Sequence, residues 1–234
     1  MRLDSHLLKQ GMFTSRTKAK EAIVSRLVEV DAKTITKPSF ELTEGMSVVV
    51  KSHKSYVARS AWKLAGFLEE VSLNVEGKTT LDIGSSTGGF TQVLLENGAT
   101  SVTCVDVGTN QLHESLRNNS KVVLYEQTDI RDFNHEPFEL VVSDISFISL
   151  RKILDKIDLL AKKEIVLLFK PQFEVGLVAK RDKKGVVRDK KAIALAQSRF
   201  EDAAKLLGWS LEAVAPAVIT GKEGNLEYCY YFKK

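Results

Sequence analysis

From residue 58 to residue 234, short apolar runs alternate with longer segments in which apolar residues recur every three or four positions. The short runs are typical of buried strands, and the longer segments are typical of helices packed on a sheet. Strands are predicted over 79–83, 101–105, 121–126, 140–143, 165–169, 211–218 and 228–232, with helices from 58 onward and over 90–97, 150–162 and 190–207. This alternation predicts an α/β fold with a mostly parallel sheet covered on both faces. Only the loop ITGKEGN separates the last two strands, so we expect an antiparallel hairpin that places an antiparallel strand at one sheet edge.

The start of the chain follows a different pattern. Leu3, Leu7 and Leu8 fit one face of a helix, and Ser15 is a residue type that often caps the start of a second helix. The predicted elements are helices around 3–8 and over 16–25, followed by strands over 27–30 and 46–50. The pattern therefore predicts a small α+β unit in which two helices precede a β-ribbon.

A short polar segment separates the two patterns. Residues 51–57, KSHKSYV, have no periodicity, so we predict a linker there between a domain over 1–50 and a domain over 58–234. Charge is also divided unevenly, because residues 1–55 hold 10 Lys or Arg against 6 Asp or Glu, while the rest of the chain is balanced. Such an excess suits contact with a polyanion, although an ordinary solvated surface explains it equally well.

Composition limits the class of protein. With 234 residues and 44% apolar content, the chain can build a well-packed core. No apolar run approaches the roughly 18 residues that span a bilayer, and no signal-peptide pattern is present, so we expect a soluble cytoplasmic protein without membrane association. Cys104 and Cys229 each lie within an apolar strand-like run, which predicts reduced core thiols and no metal site.

A glycine-rich loop follows the first strand of the larger domain. In a doubly wound sheet a ligand lies beside this loop, where an acid after the second strand can accept both hydroxyls of a ribose and an acid after the third can accept from an adenine amino group. The predicted cofactor-binding residues are Gly84, Ser85, Ser86, Thr87, Gly88, Gly89 and Phe90 in the loop and the carboxylates Asp82, Asp106 and Asp129. The acids favour a cationic sulfonium over a pyrophosphate, so we predict S-adenosyl-L-methionine in preference to NAD. The carboxylates have an alternative role as simple caps of loops.

Particular strings resemble known families. RLDSHLLKQGMFTSRTKAKEAIVSRLVEV resembles the S4-type RNA-binding domain, although Arg26 and the pair Asp31 and Ala32 stand where such domains usually have glycine and an Asn-Gly turn. LDIGSSTGGFTQVL, VSDISFISL and LLFKPQFE resemble the FtsJ-type ribose methyltransferase domain, and the two domains together resemble the TlyA family, whose members are often named haemolysin A. The resemblance implies a class I S-adenosylmethionine-dependent methyltransferase fold, Rossmann-like, with seven strands of which the last is antiparallel.

The same resemblance implies a reaction and a set of catalytic residues. It implies 2′-O-methylation of ribosomal RNA, with a cytidine of the large-subunit (23S) RNA as the target. The residues that match the family's Lys-Asp-Lys-Glu set are Lys63, Asp144, Lys170 and Glu227. We expect Lys170 to orient and deprotonate the ribose hydroxyl and Asp144 to hold Lys170. Lys63 has the alternative of being an ordinary surface lysine.

Basic residues suggest where RNA binds. The predicted RNA contacts are Arg2, Arg16, Lys18, Lys20, Arg59, Lys183 and Lys184. The last two belong to AKRDKKGVVRDKK, 179–191, which we interpret as a mobile lid over the RNA backbone, with a solvated loop as the alternative. Ribosomal RNA or a ribosomal subunit is the expected partner. A non-catalytic RNA-binding protein and a membrane-active haemolysin are alternative functions, and the latter is disfavoured because no membrane-spanning pattern is found.

Overall fold

The computed structural model describes residues 1–13, 15–50, 56–221 and 223–234. The chain forms two compact units, Met1–Ser55 and Tyr56–Lys234. Most of the predicted linker lies outside the described residues. Its last residue, Val57, donates its backbone N–H to Gln92 Oε1 at 2.8 Å and is therefore held within the second unit.

The first unit contains two helices and a small antiparallel sheet. Its elements are α1 (Leu3–Lys9), α2 (Arg16–Val24), β1 (Val28–Val30), β2 (Lys33–Thr34) and β3 (Val48–Val50), with strand order β2-β1-β3. Leu3 and Leu7 are fully buried, but Leu8 is exposed, so the prediction that all three share the core face was wrong. Position 8 lies about 100° around the helix from position 7. Strand β2 was not predicted, and it is reached by a tight turn in which Asp31 and Ala32 both have positive φ.

The second unit alternates strands and helices as the sequence predicts. Its strands are β4 (Thr79–Ile83), β5 (Ser101–Val105), β6 (Val122–Tyr125), β7 (Phe138–Ser143), β8 (Ala161–Phe169), β9 (Ser210–Pro216) and β10 (Tyr228–Lys233). Its helices are α3 (Ser60–Val71), α4 (Gly89–Glu96), α5 (Glu114–Arg117), α6 (Leu154–Leu160), α7 (Pro171–Glu174) and α8 (Lys190–Leu206), with a 3₁₀ turn at Leu150–Lys152.

One predicted boundary was wrong. The single helix predicted over 150–162 is a 3₁₀ turn followed by α6, and β8 begins at Ala161, four residues earlier than predicted. The first residues of β8, AKKE, are mostly polar, so a pattern of apolar residues does not predict a strand there. This part is extended because Glu164 pairs with Leu140 of β7 on one side and with Lys233 of β10 on the other.

The seven strands form one sheet in the order β6-β5-β4-β7-β8-β10-β9. Strand β10 is antiparallel to both of its neighbours, β8 and β9, and the pairs among β4 to β8 are parallel. The predicted α/β fold with an antiparallel last strand is therefore confirmed. The antiparallel strand is not at the edge, however, because β10 inserts between β8 and β9 and leaves β9 outermost.

Apolar side chains cover both faces of this sheet. One face packs against α3 and α4, with Leu64 and Val93 fully buried, and the other packs against α6 and α8, with Ile157 and Phe200 fully buried. The chain leaves β4 toward β5 on one side, while β7 occupies the other side of β4. The loops after β4 and β7 therefore diverge at a topological switch point, which is where open α/β sheets bind ligands.

Candidate active site

The glycine loop after β4 brings backbone elements very close together. Gly84 and Gly88 have φ of 77° and 97°, a region that L side chains rarely adopt. A Cβ on Gly89 would lie 2.2 Å from Ser60 Oγ and 2.9 Å from Ala61 N, so the start of α3 packs directly on the loop. These positions therefore need glycine for conformation or for space.

Two adjoining cavities lie at this edge of the sheet. The larger has a volume of about 400 Å³ and contains Asp106 and Asp129, and the smaller has a volume of about 150 Å³ and contains Asp82 and Lys170. The residues that line both are Gly84, Ser86, Asp144 and Ser146. A ligand that extends from one cavity into the other would therefore pass between the glycine loop and the loop after β7.

Asp82 lies beneath the glycine loop and is fully buried. Thr91 donates its hydroxyl to Asp82 Oδ2 at 2.6 Å, while Asp82 Oδ1 and Ser85 Oγ have no hydrogen-bond partner among the described residues. Burial raises the pKa of Asp82 to about 7, because the charged form loses its hydration. Nearby Cys104 is also buried, which raises the pKa of its thiol to about 12 and leaves it without nucleophilic thiolate at neutral pH.

The two other predicted cofactor carboxylates are held differently. Asp106 accepts the backbone N–H of Ser86 at 2.8 Å and of Gly108 at 2.7 Å, which fixes the carboxylate in the larger cavity with acceptor capacity left over. Asp129 accepts the guanidinium of Arg131 at 3.0 Å and 2.5 Å, and this contact holds the pKa of the carboxyl at about 2. Arg131 was missed in the sequence, and it shares the oxygens that were predicted to bind an amino group.

Lys170 lies between the end of β8 and Pro171, the first residue of α7. Its Nζ donates to the backbone oxygen of Asp144 at 3.1 Å and to Ser146 Oγ at 2.8 Å. Asp144 Oδ1 lies 2.6 Å from the same Nζ but has no hydrogen bond of suitable geometry. The lysine is 7% exposed, so its head group is almost enclosed by these three oxygens.

The other predicted pair lies across α3 and the start of β10. Lys63 Nζ is 2.6 Å from Glu227 Oε2, and the two residues are 7% and 2% exposed. Lys63 is thus not a surface lysine, contrary to the alternative considered above. Gln172 donates its side-chain N–H to Glu227 Oε1 at 3.0 Å and was not predicted, although it stands two positions after Lys170 in KPQFE. The four predicted catalytic residues therefore form two ion pairs, of which Lys63 with Glu227 is buried and Lys170 with Asp144 is partly buried.

Comparison with known proteins decides the family. A family model described as FtsJ-like methyltransferase matches residues 56–234, and one described as S4 domain matches residues 1–48. A relative from Campylobacter jejuni named 23S rRNA (cytidine-2′-O)-methyltransferase TlyA is 48% identical over 255 aligned residues, with 100% of both chains covered. The chain belongs to the TlyA family of FtsJ-like methyltransferases. The resemblance found in the sequence is thereby confirmed.

Other members of the TlyA family extend the comparison. A Mycobacterium tuberculosis relative named 16S/23S rRNA (cytidine-2′-O)-methyltransferase TlyA is 39% identical and covers 99% of this chain and 89% of its own. A solved structure from Streptococcus thermophilus that carries a provisional hemolysin name has a TM-score of 0.72 and 35% identity, over 100% of this chain and 88% of its own. Methyltransferase and hemolysin names thus occur on proteins of the same fold.

In this TlyA-family chain, the predicted RNA contacts of the first unit include two arginines that share one carboxylate. Arg2 and Arg16 each form two hydrogen bonds, of 3.0 to 3.3 Å, to the fully buried side chain of Asp4. These contacts hold the pKa of Asp4 well below its usual range. Both arginines keep more than two fifths of their side-chain surface exposed, and Lys18 and Lys20 on α2 are exposed as well.

The predicted contacts of the second unit lie on loops. Arg59 is exposed and donates to the backbone oxygen of Thr220 at 3.3 Å. Lys183 and Lys184 are exposed at the tip of a turn whose ends meet in an antiparallel bridge between residues 181 and 187. Asp182 closes this turn by accepting from Lys184 N and Val186 N at 2.9 and 3.0 Å. The turn is thus internally hydrogen-bonded, and its predicted role as a lid stays a prediction.

Membrane spans and metal sites are both absent from the described residues. Over 1–13, 15–50, 56–221 and 223–234, no helix is long and apolar enough to cross a membrane. In the same part of the chain, no three His, Cys, Asp or Glu side chains form a group that could hold a metal ion.

Proposed function

We propose that this chain is an S-adenosyl-L-methionine-dependent methyltransferase that modifies a ribose 2′-hydroxyl of ribosomal RNA. The observation that carries the proposal is the arrangement of two ion pairs. Lys170 and Asp144 both line the smaller cavity at the switch point, and the buried pair of Lys63 with Glu227 is contacted by Gln172, two residues after Lys170. Removing charges from water costs free energy, so a catalytic or binding role is a reason for a protein to keep them. The names of the Campylobacter and Mycobacterium relatives support a cytidine of 23S RNA as the target.

The cavities suit the proposed cofactor. Asp106 would accept the ribose hydroxyls in the larger cavity, and Gly84 leaves the room for close approach because a Cβ there would already lie 3.1 Å from Ile145. Asp82 and Ser85 supply buried acceptors that lack partners, which suits a ligand that carries positive charge and N–H donors. When bound, S-adenosyl-L-methionine supplies an electrophilic methyl group. Asp129 would contribute to this site only through oxygens that it shares with Arg131.

The surroundings of Lys170 suit proton transfer from a hydroxyl. Lys170 is paired with Asp144 as an ammonium, so it would first have to give up one proton to act as a base. The two N–H groups that remain would have acceptors in the Asp144 backbone oxygen and Ser146 Oγ. The lone pair would then face the ribose hydroxyl, and Nζ would take the hydroxyl proton, while the bound cofactor would supply the methyl group and leave as a neutral thioether. The ammonium that results lies 2.6 Å from Asp144 Oδ1, which stabilises its charge. Lys63 and Glu227 would fix the ribose.

The S4 domain supplies a surface for the rest of the substrate. Arg2 and Arg16 are preorganised by Asp4 and present guanidinium edges to solvent, which suits phosphate binding. We therefore propose ribosomal RNA or a ribosomal subunit as the partner and the cytoplasm as the location. The domain limits 1–50 and 58–234, with the linker between them, stay part of this proposal.

Transfer of label from tritiated S-adenosyl-L-methionine to separated ribosomal subunits tests the proposal. We expect label in large-subunit RNA with wild-type protein, resistance of one phosphodiester bond to alkali, and no label with Lys170→Met, which keeps the length of the side chain. Lys205→Met is the control, because Lys205 is exposed on α8. If wild-type protein binds the cofactor but labels no RNA, or labels a base, the proposed function is wrong.

A further inference from the structure

The carboxylate of Glu227 is enclosed on three sides. Lys63 Nζ lies 2.6 Å from Oε2, and the side-chain N–H of Gln172 reaches Oε1 at 3.0 Å. On the third side, a Cβ added to Gly221 would lie 2.4 Å from Oε1, so the absence of a side chain there is what leaves room for the carboxylate. Glu227 therefore has one well-defined place, and Gln172 is one of the groups that define it.

Gln172 is itself held by the backbone around it. Pro171 opens α7 immediately after Lys170, and its ring restricts the backbone at the point where the chain leaves β8. Arg181 donates to the backbone oxygens of Gln172 and Gly176 at 3.1 and 3.0 Å, which ties both ends of this short segment together. Lys170 belongs to the ion pair with Asp144, and Gln172 contacts the ion pair of Lys63 with Glu227. The two ion pairs are therefore linked through residues that lie two positions apart in the chain.

The side-chain amide of Gln172 donates a hydrogen bond, but its oxygen accepts none from the described residues. Glu227 is ionised while it is paired with Lys63, so its carboxylate can only accept hydrogen bonds. The Gln172 atom that faces Glu227 must therefore be the nitrogen, and the other terminal atom of the amide is the oxygen. That oxygen is buried and has no hydrogen-bond partner among the described residues. The cost of this buried acceptor offsets part of what the N–H bond to Glu227 contributes to stability, so stability is a weak reason for a glutamine at this position.

We propose that Gln172 is a positioning residue for methyl transfer, which acts by holding Glu227 against Lys63. The proposal rests on the proposed function of the site. Without the amide, Glu227 Oε1 loses its donor and the carboxylate can turn away from Lys63, so the group that fixes the ribose loses its orientation. A misplaced nucleophile slows the transfer step, while cofactor binding in the cavities around Asp106 and Asp82 is unaffected.

A double-mutant cycle tests this coupling. The proteins are wild type, Gln172→Met, Glu227→Gln and the double variant, and methionine keeps the length of glutamine without its polar atoms. We expect Gln172→Met to lower kcat by about tenfold or more with unchanged cofactor affinity. In the Glu227→Gln background the same change is expected to cost less than about twofold, because there is no longer a placed carboxylate to lose. Gln10→Met, an exposed position on the first unit, is the control.

Urea unfolding of the same four proteins separates positioning from a purely structural role. The midpoint of Gln172→Met is expected to fall only slightly, because the variant removes an unpartnered oxygen together with the N–H donor to the buried Glu227 Oε1, so the variant stays folded in the activity assay. Equal loss of kcat in both backgrounds, or a lowered midpoint that accounts for the lost activity, overturns the proposal. If wild-type protein transfers no methyl group, the proposed function fails, and non-additive unfolding energies in the cycle then report the coupling between Gln172 and Glu227 by themselves.

Discussion

Replacing Asp82 with asparagine tests the electrostatics beneath the glycine loop. The carboxyl is fully buried, and its pKa is raised from 3.8 to about 7 because the charged form cannot be hydrated. An acid with a raised pKa holds its proton more tightly when folded than when unfolded. The free energy of unfolding of the wild type therefore falls as pH rises from about 4 to about 7. Above pH 7 the loss reaches roughly 4 kcal/mol, from about 3 pKa units at 1.36 kcal/mol each.

Asparagine does not ionise, so the variant is free of this pH dependence. The asparagine oxygen can accept the Thr91 hydroxyl as Asp82 Oδ2 does. The asparagine N–H group then takes the place of Oδ1, which has no hydrogen-bond partner among the described residues. Leaving this N–H group unpaired costs about 1–3 kcal/mol of stability at every pH. The comparison across pH removes this constant cost. Between pH 5 and pH 8 the stability of Asp82→Asn relative to wild type should rise by about 3 kcal/mol, because the stability of the wild type falls over the two pH units from 5 to 7.

The assay is urea unfolding at pH 5, 6, 7 and 8 at constant ionic strength, without cofactor. Trp62 and Trp209 are the two tryptophans of the chain and both lie in the second unit, so their fluorescence reports on the unit that contains Asp82. Asp132→Asn is the control, because that carboxylate is exposed. A stability difference between wild type and Asp82→Asn that is the same at every pH would refute the reasoning.

Three further predictions follow from packing and charge. Gly221→Ala pushes a methyl group against Glu227 Oε1, so kcat should fall by about tenfold with little change in cofactor affinity, as measured by initial rates and calorimetry, and an unchanged kcat would contradict the geometry. Asp4→Asn replaces one of the two carboxylate oxygens shared by the arginines with an N–H group and removes the negative charge. It should destabilise the first unit by about 1–3 kcal/mol in hydrogen exchange, whereas the second unit should be unaffected. Lys183→Gln with Lys184→Gln should reduce the slope of log affinity for RNA against log salt by about 2, and an unchanged slope would exclude phosphate contacts at that turn.

Local patterns in the sequence determined most of the fold. Buried strands contain short apolar runs, such as residues 140–142 of β7 and 165–169 of β8, and burial on both faces requires such runs whatever surrounds them. The glycine loop could be recognised for the same reason, because Gly84 and Gly88 adopt backbone conformations that other residues avoid. Recognisable strings around Lys170 and Asp144 indicated the family and the candidate catalytic residues.

Other features were decided only when distant segments came together. The early start of β8 and the insertion of β10 beside it depend on strand pairing between residues about 70 apart, which a local pattern does not encode. Gln172 entered the site because Glu227, 55 residues further along the chain, lies opposite it. Hydrogen bonds and pKa values are set by neighbours in space, and burial that only the assembled sheet and helices provide raises the pKa of Asp82 to about 7.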